Sequence, residues 1–541
     1  MRGRALAWRG PLLSLATLVA LGLLALAGER AVRRLRPETC APLAREAVYL
    51  ERDRALLQPC FRRETVRGVP SLTWARRETE PGAPLTLPLR RTPGVRRVVV
   101  LGESSGSLLA AALQRQLGDP ACARPVEVLN CAQHSAALEH VGRNLDEALG
   151  YEPDAIVLVF GHNLRFRFPV DERAIAARQW RNRSCLLAAI APQRAEPAMS
   201  VVPLDGRLGD LERLLRRMTR EARARGVRLV LSAPAANLWF PPGGGDPSAP
   251  HLLDARYADA TAGPLAAARL LAALPDARRG PAERFREGEA FARAGERGPA
   301  REALLRAVDD DPGGGRVHSR TNALLRRFAA GSGVALRDTE RALEREVPSG
   351  LPGWESFLDT CHLSPEGFDR EARAVLALLG DGDGAAARCP PAERPPGFSG
   401  LGAVLDGTLR YGAGSTAPSP WHEAAALAVE QWLAAAPAAS ERALADFVAG
   451  LGGRADPGQA SRMLVALAEG CARAGRDALA GDLNERARRA DEGAPDPWRQ
   501  RGLFALRRGD REAARAALTR ALALAPADLA TRRMLDRLSA N

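Results

Sequence analysis

Apolar residues in the middle of this chain fall into two kinds of run, short and solid or long and spaced. Val98–Leu101 is a solid run of four residues closed by Gly102. Such a run predicts a strand buried on both faces of a parallel sheet. Similar runs follow at Val126–Asn130, Ala155–Phe160, Val227–Ser232 and Val334–Leu336. Between them, helical spacing covers 107–117, 136–149, 209–225 and 319–330. Strands alternating with helices predict a doubly wound parallel sheet whose ligands bind outside the carboxyl ends of the strands.

About a hundred residues separate the fourth and fifth of these strands, far more than a connecting loop needs. Inside that interval Gly288, Phe291, Gly295, Ala300, Leu304, Ala307 and Pro312 mark a helical pair. The pattern returns as Trp498, Gly502, Ala505, Gly509, Ala514, Leu518, Ala521 and Pro526, and 34 residues earlier as Leu464, Ala468, Gly475, Ala480 and Ala487. This is the spacing of tetratricopeptide repeats, where small residues let two antiparallel helices pack closely. Gly380–Gly402 is too dense in Gly, Ala and Pro for a regular element and is expected to be a linker. The expected organisation is therefore an amino-terminal anchor (1–34), a proline- and arginine-rich lead-in (35–94), and an α/β domain (95–380) with a helical unit inserted at 282–314. A linker (381–402) and a helical domain (403–541) complete it.

Pro11–Gly28 carries no charge over 18 residues and is flanked by arginines on both sides. It is long enough for a membrane span. The reading favoured here is an uncleaved anchor in the inner membrane with the rest of the chain exported; cleavage after Ala27 is the alternative. The formal charge of +13 over 541 residues comes entirely from arginine, since there is no lysine. Those arginines are spread among plentiful acids without a reading motif, which argues against a nucleic-acid partner. The eight cysteines show no C-x-x-C pair. In an exported chain Cys40 could pair with Cys60, or Cys361 with Cys389; buried free thiols are the alternative.

Four short blocks carry the candidate chemistry: Gly102-Glu103-Ser104-Ser105, Asn130-Cys131-Ala132-Gln133, Phe160-Gly161-His162-Asn163 and Asp359-Thr360-Cys361-His362. The first three close successive strands, and the fourth precedes the last helix. A serine at a strand-to-helix turn suits a nucleophile, although a plain serine N-cap would read the same way. Together the blocks resemble the SGNH (GDSL-type) hydrolase superfamily, and in particular its bacterial members with tetratricopeptide repeats.

That resemblance implies a flavodoxin-like three-layer sandwich around a five-stranded parallel sheet. It also implies the roles of the residues. Ser104 is the nucleophile, with Ser105 the lesser choice. His362 is the general base, and Asp359 orients it. The oxyanion is held by the N–H groups of Ser104 and Ala132 and by the Asn163 side chain. Gly161, His162 and His134 are pocket candidates, and His162 is expected to be structural or rim-lining rather than a base. Arg320 and Asn322 are weaker substrate-contact candidates, better read as a solvated helix start. Ala132 stands where the family usually has glycine, Glu103 where many members have aspartate, and Leu164 where they often have an acid.

No cofactor and no metal are expected. The expected substrate is an ester, such as an acylated carbohydrate or lipid of the cell envelope, taken by hydrolysis or acyl transfer. A protein partner is expected on the repeat face. The competing reading is a scaffold whose α/β domain is catalytically silent.

Overall fold

The computed structural model describes residues 23–35, 56–74, 86–118, 126–167, 184–186, 200–243, 249–313, 315–379, 398–412 and 420–540. In chain order the strands are β1 (Phe61–Val66), β2 (Val69–Trp74), β3 (Thr86–Pro88), β4 (Arg96–Gly102), β5 (Val126–Asn130), β6 (Ala155–Val159), β7 (Phe166–Arg167), β8 (Ser200–Val201), β9 (Arg228–Ala233) and β10 (Ala335–Asp338).

The five expected strands form one parallel sheet in the order β10-β9-β6-β4-β5. β4 is sealed on both sides, as its solid apolar run requires. Val99 and Leu101 face one core, shared with Leu145, Leu215 and Leu325. Val98 and Val100 face the other, shared with Leu109, Phe368 and Val375. The chain order reverses between β4 and β6, so the crevice for a ligand opens there, at the strands' carboxyl ends.

The stretch expected to be an irregular lead-in instead holds an antiparallel sheet, β1-β2-β3. Arg67 (φ 52°) and Gly68 (φ 80°) make the β1–β2 turn. Left-handed backbone at both turn residues is what a two-residue hairpin needs. Leu72 and Trp74 pack into the same core as Leu149 and Tyr151, and the Phe61 ring meets Tyr151 edge-on at 5.7 Å.

The insertion between β9 and β10 holds two helical pairs rather than one. Pro250–Ala262 and Pro264–Ala272 precede the expected pair, Pro281–Arg293 and Arg297–Asp309. The carboxyl-terminal helices run from Phe398–Gly412 to Leu529–Ala540. The first of them takes in the last residues of the expected linker, because Leu401, Val404 and Leu405 are buried. Small residues set the helix spacing as the pattern requires. A Cβ on Gly288 would lie 2.7 Å from Leu304, and one on Gly502 would lie 2.7 Å from Leu518. The insertion does not stand apart from the carboxyl-terminal helices. Phe285, Leu304 and Val308 share one core with Ala424, Leu427, Met463 and Leu467. Arg286 bridges to Glu423 at 2.6 Å, and buried Arg473 pairs with Glu289.

Residues 23–35 are helical, with Leu23, Leu24 and Leu26 exposed. Most of the uncharged 11–28 run lies outside the described residues. Among the described residues, no helix is long and apolar enough to cross a membrane. Cys60 and Cys361 are free thiols, so of the two alternatives left open by the sequence the free-thiol one holds and the pairings Cys40–Cys60 and Cys361–Cys389 do not. Spacing along a chain says little about which sulfurs meet in space. Cys185, for which no partner was expected, is disulfide-bonded.

Gly470 tests the helical packing. A Cβ there would sit 2.3 Å from Ala426 O, whereas one on Gly481 meets nothing within 4 Å. Gly470→Ala should force two helices apart and cost roughly 1–3 kcal/mol in urea unfolding. Gly481→Ala, in an exposed helix interior, should be neutral or stabilise by up to about 1 kcal/mol.

Candidate active site

The Ser104 turn begins with a close approach of backbones. Gly102 has φ 138°, and a Cβ there would lie 1.8 Å from Val159 O on the neighbouring β6. Without that side chain the chain leaves the sheet sharply, and the helix Ser104–Gly118 starts at once. Ser104 is therefore the first helical residue, where N–H groups have no helical acceptor. Its hydroxyl is half-exposed at the sheet's edge, whereas Ser105 is buried and its Oγ has no partner among the described residues. Ser105 instead lines a cavity of about 20 Å³ behind the turn, with Val159, His162, Pro234 and Cys361.

The loop Asp359–His362 meets this turn from across the crevice. His362 Nε2 lies 2.6 Å from Ser104 Oγ, and His362 Nδ1 lies 2.6 Å from Asp359 Oδ2. The other Asp359 oxygen accepts the backbone N–H groups of Cys361 (2.9 Å) and His362 (2.7 Å). The spacing D-x-x-H works because one carboxylate both closes this turn and reaches the ring.

Burial pushes the Asp359 pKa up, but its bond to His362 and the two N–H donors outweigh that and hold it below the usual carboxylate range. Burial alone would lower the His362 pKa, yet the Cys361 sulfur and the Asp359 carboxylate raise it above the usual imidazole range. Burial and the Asp359 charge raise the Cys361 thiol pKa. Asp359, Cys361 and His362 are the one described group with three metal-capable atoms within 4.8 Å of one another. The Asp359 and His362 atoms are already committed to hydrogen bonds, so the cluster needs no ion to account for it.

The other expected residues are placed as follows. Asn163 Nδ2 donates one proton to Ala136 O (3.1 Å) and keeps a second for another acceptor. The Ala132 N–H, expected to face the oxyanion, donates to Asn130 Oδ1 at 3.0 Å. The Ala132 methyl packs toward Gly106, where a Cβ would lie 2.9 Å away. Gly161 sits in a tight seat, 3.0 Å from Pro234 and Val317 for any added Cβ. His162 is buried, accepts from Val317 N at 3.0 Å, and has its pKa lowered to about 3 by that burial. It is neutral and structural. His134 is exposed on the loop after β5, near enough to feel the charge of His362. Arg320 is exposed and pairs with Asp205. Asn322 is not solvated; it is fully buried and donates to Pro234 O at 2.8 Å.

Glu103 does more than its place in the first block suggests. Its carboxylate is fully buried and accepts three N–H groups: Gly161 (3.1 Å), His162 (2.8 Å) and Asn163 (2.8 Å). It thus ties the Ser104 turn to the Asn163 turn. Burial pushes this carboxyl up to about 7, against the pull of the three donors and of His362. An acid between the strand-closing glycine and the serine was the available sequence signal.

No protein-family model matches the chain, and no curated protein matches it. Among solved structures it is similar to a proposed acylhydrolase from Bacteroides fragilis (10% identity, TM-score 0.29, covering 54% of this chain and 89% of that one). It is also similar to a GDSL-like lipase from Bacteroides thetaiotaomicron (9%, TM-score 0.27, 52% and 87%). A third is a lipase/acylhydrolase from Enterococcus faecalis (13%, TM-score 0.27, 56% and 100%). At these scores the likeness carries no weight for function.

Removing the Glu103 tie should be costly. Glu103→Ala strands two buried N–H groups and a third that is part-buried, the buried ones at about 1–3 kcal/mol each, so urea unfolding should show a loss of about 2 kcal/mol or more. Glu103→Gln keeps one acceptor oxygen and should lose distinctly less.

Proposed function

We propose that the chain is a serine-dependent hydrolase or transferase of ester-linked acyl groups. The observation that carries this is the continuous hydrogen-bonded line Ser104 Oγ–His362–Asp359, with 2.6 Å at each step. His362 Nε2 takes the Ser104 proton as Oγ attacks the acyl carbon. The resulting oxyanion falls near the first N–H groups of the helix and the spare proton of Asn163 Nδ2. His362 then protonates the departing alcohol, leaving an acyl-Ser104 ester. Water, or a second alcohol in the transferase case, gives its proton to His362 as it attacks the acyl carbon, and His362 returns that proton to Ser104 Oγ as the acyl–Oγ bond breaks.

Asp359 keeps the imidazole in the tautomer with its lone pair on Nε2 and stabilises the imidazolium during each transfer. The neutral acid and base groups nearby do not compete for this role: His162 is held by Val317, and Ser105 faces away.

The substrate we propose is an ester on a cell-envelope carbohydrate or lipid, reached from an inner-membrane anchor. The uncharged 11–28 run and the exposed leucines at its carboxyl end support the anchor. The disulfide at Cys185 fits an oxidising, exported location. The helical pairs, with small-residue spacing at Gly288 and Gly502, support a tetratricopeptide-like region able to hold a partner chain.

Turnover of p-nitrophenyl acetate should rise with pH as His362 loses its proton. Because its pKa is raised, the midpoint should lie above the unperturbed value of ~6.5. Asp359→Asn should move that midpoint down and lower kcat by roughly 10³–10⁴-fold with little change in KM. Ser104→Ala and His362→Ala should each remove most of the rate, and the double variant should be little worse than either. Losses that multiply in the double variant, or a wild-type rate independent of pH between 5 and 8, would contradict these roles.

A further inference from the structure

Asn237 lies on the loop that follows β9, fully buried, and it holds the Asp359–His362 loop from behind. Its Nδ2 donates to Asp359 O (2.9 Å), and its backbone N–H donates to Thr360 O (3.0 Å). Its Oδ1 accepts Trp239 N at 2.9 Å. One residue thus pins two successive carbonyls of the segment that carries both Asp359 and His362.

The Asn237 loop is itself held by elements outside the sheet. Arg316, which follows the inserted helices, donates to Phe240 O (2.8 Å) and Asn237 O (3.3 Å) and pairs with Asp311 (2.8 Å). Trp239 Nε1 donates to Leu351 O (3.1 Å), and Trp354 Nε1 donates back to Trp239 O (3.3 Å). Trp354 N then donates to Gln431 Oε1 at 2.9 Å, on the carboxyl-terminal helix Pro420–Ala435. The contact is tight: a Cβ on neighbouring Gly353 would lie 2.7 Å from that Gln431 oxygen. The Phe240 ring fills the joint between Trp354 (5.7 Å) and Trp421 (5.0 Å).

We infer that Asn237 is a positioning residue for Asp359 and His362, and that Gln431 sets the same loop through Trp354 and Trp239. The carboxyl-terminal helices then help to seat the catalytic loop instead of being carried beside it. The inference rests on the hydrolase reading for its kinetic consequence alone. A misplacement of about 1 Å between nucleophile and base can cost on the order of 10²-fold in rate. A loop pinned by two hydrogen bonds is where such a displacement would arise.

The test uses the full chain with Asn237→Ala, Gln431→Met and Gln431→Glu, each compared with wild type for circular dichroism and melting temperature. Asn237→Ala should lower kcat on p-nitrophenyl acetate by roughly 10–100-fold, and Gln431→Met by roughly 5–10-fold, with KM nearly unchanged. Gln431→Glu should recover most of that loss, because a carboxylate oxygen still accepts the Trp354 N–H.

The second readout is the NMR titration of the His362 ring, which needs no ester turnover. The charged and titratable groups that bear on this ring are Asp359 and Cys361 on its own loop, Glu103 and His162 at the ends of β4 and β6, and His134 after β5. Of these contacts, the Asp359 bond depends most on how the loop is seated. Asn237→Ala and Gln431→Met should both move the midpoint down toward ~6.5. Folded variants with wild-type kcat and wild-type His362 titration would overturn the inference, as would Gln431→Glu losing as much as Gln431→Met. If wild type turns over no ester, the hydrolase reading fails on its own, and the His362 titration still decides the positioning claim.

Discussion

Everything at this site depends on how closely β4 approaches β6 at Gly102. Any side chain there would collide with Val159 O, so the strand can end and turn in a single step. Glu103 N still reaches Val159 O at 3.2 Å, and its side chain goes inward while Ser104 is left at the surface. An unpaired carboxylate in such a position would be strongly disfavoured. Three backbone N–H donors from the neighbouring turn make it tolerable, and they fix the asparagine turn relative to the serine. A glycine and a buried acid thus set the distance between two of the four blocks.

The electrostatics of the opposite wall follow from a different economy. Asp359 serves as turn-former and as ring partner at once, so His362 cannot rotate without losing a hydrogen bond. The imidazole proton is held tightly, which makes the free base scarcer at low pH but keeps the ring aimed at Ser104. Behind it the Asn237 loop joins the sheet to the inserted helices through Arg316 and to the carboxyl-terminal helices through Trp354. Phe285, Leu304, Leu427 and Leu467 bury one apolar core across that joint. The helical half of the molecule is continuous with the wall that carries His362.

The parts that could be read from sequence are those whose physics is local. β4 was legible because burial on both faces leaves no polar position in Val98–Leu101. The Asp359–His362 pair was legible because both residues belong to one turn. The lead-in hairpin was obscured by the exposed arginines of β1, although Arg67-Gly68 between apolar ends was a usable signal. The helices at 250–272 were missed because alanine-rich segments broken by Gly263-Pro264 carry little periodicity. Asn237 and Arg316 act through tertiary contacts that no spacing in the chain encodes. The bond from Ala132 N–H to Asn130 Oδ1 is local, an Asx turn two residues long, and was open to a reading from sequence. The same holds for the cysteines, whose partners depend on which loops meet.

The most direct measurement of the central claim is covalent labelling with a fluorophosphonate, followed by mapping of the adduct by mass spectrometry. A nucleophile activated by His362 should carry the phosphonyl group on Ser104 alone. The labelling rate should fall with acidification and collapse in His362→Ala. An adduct on Ser105, or labelling of Ser104 that is indifferent to the loss of His362, would contradict the account.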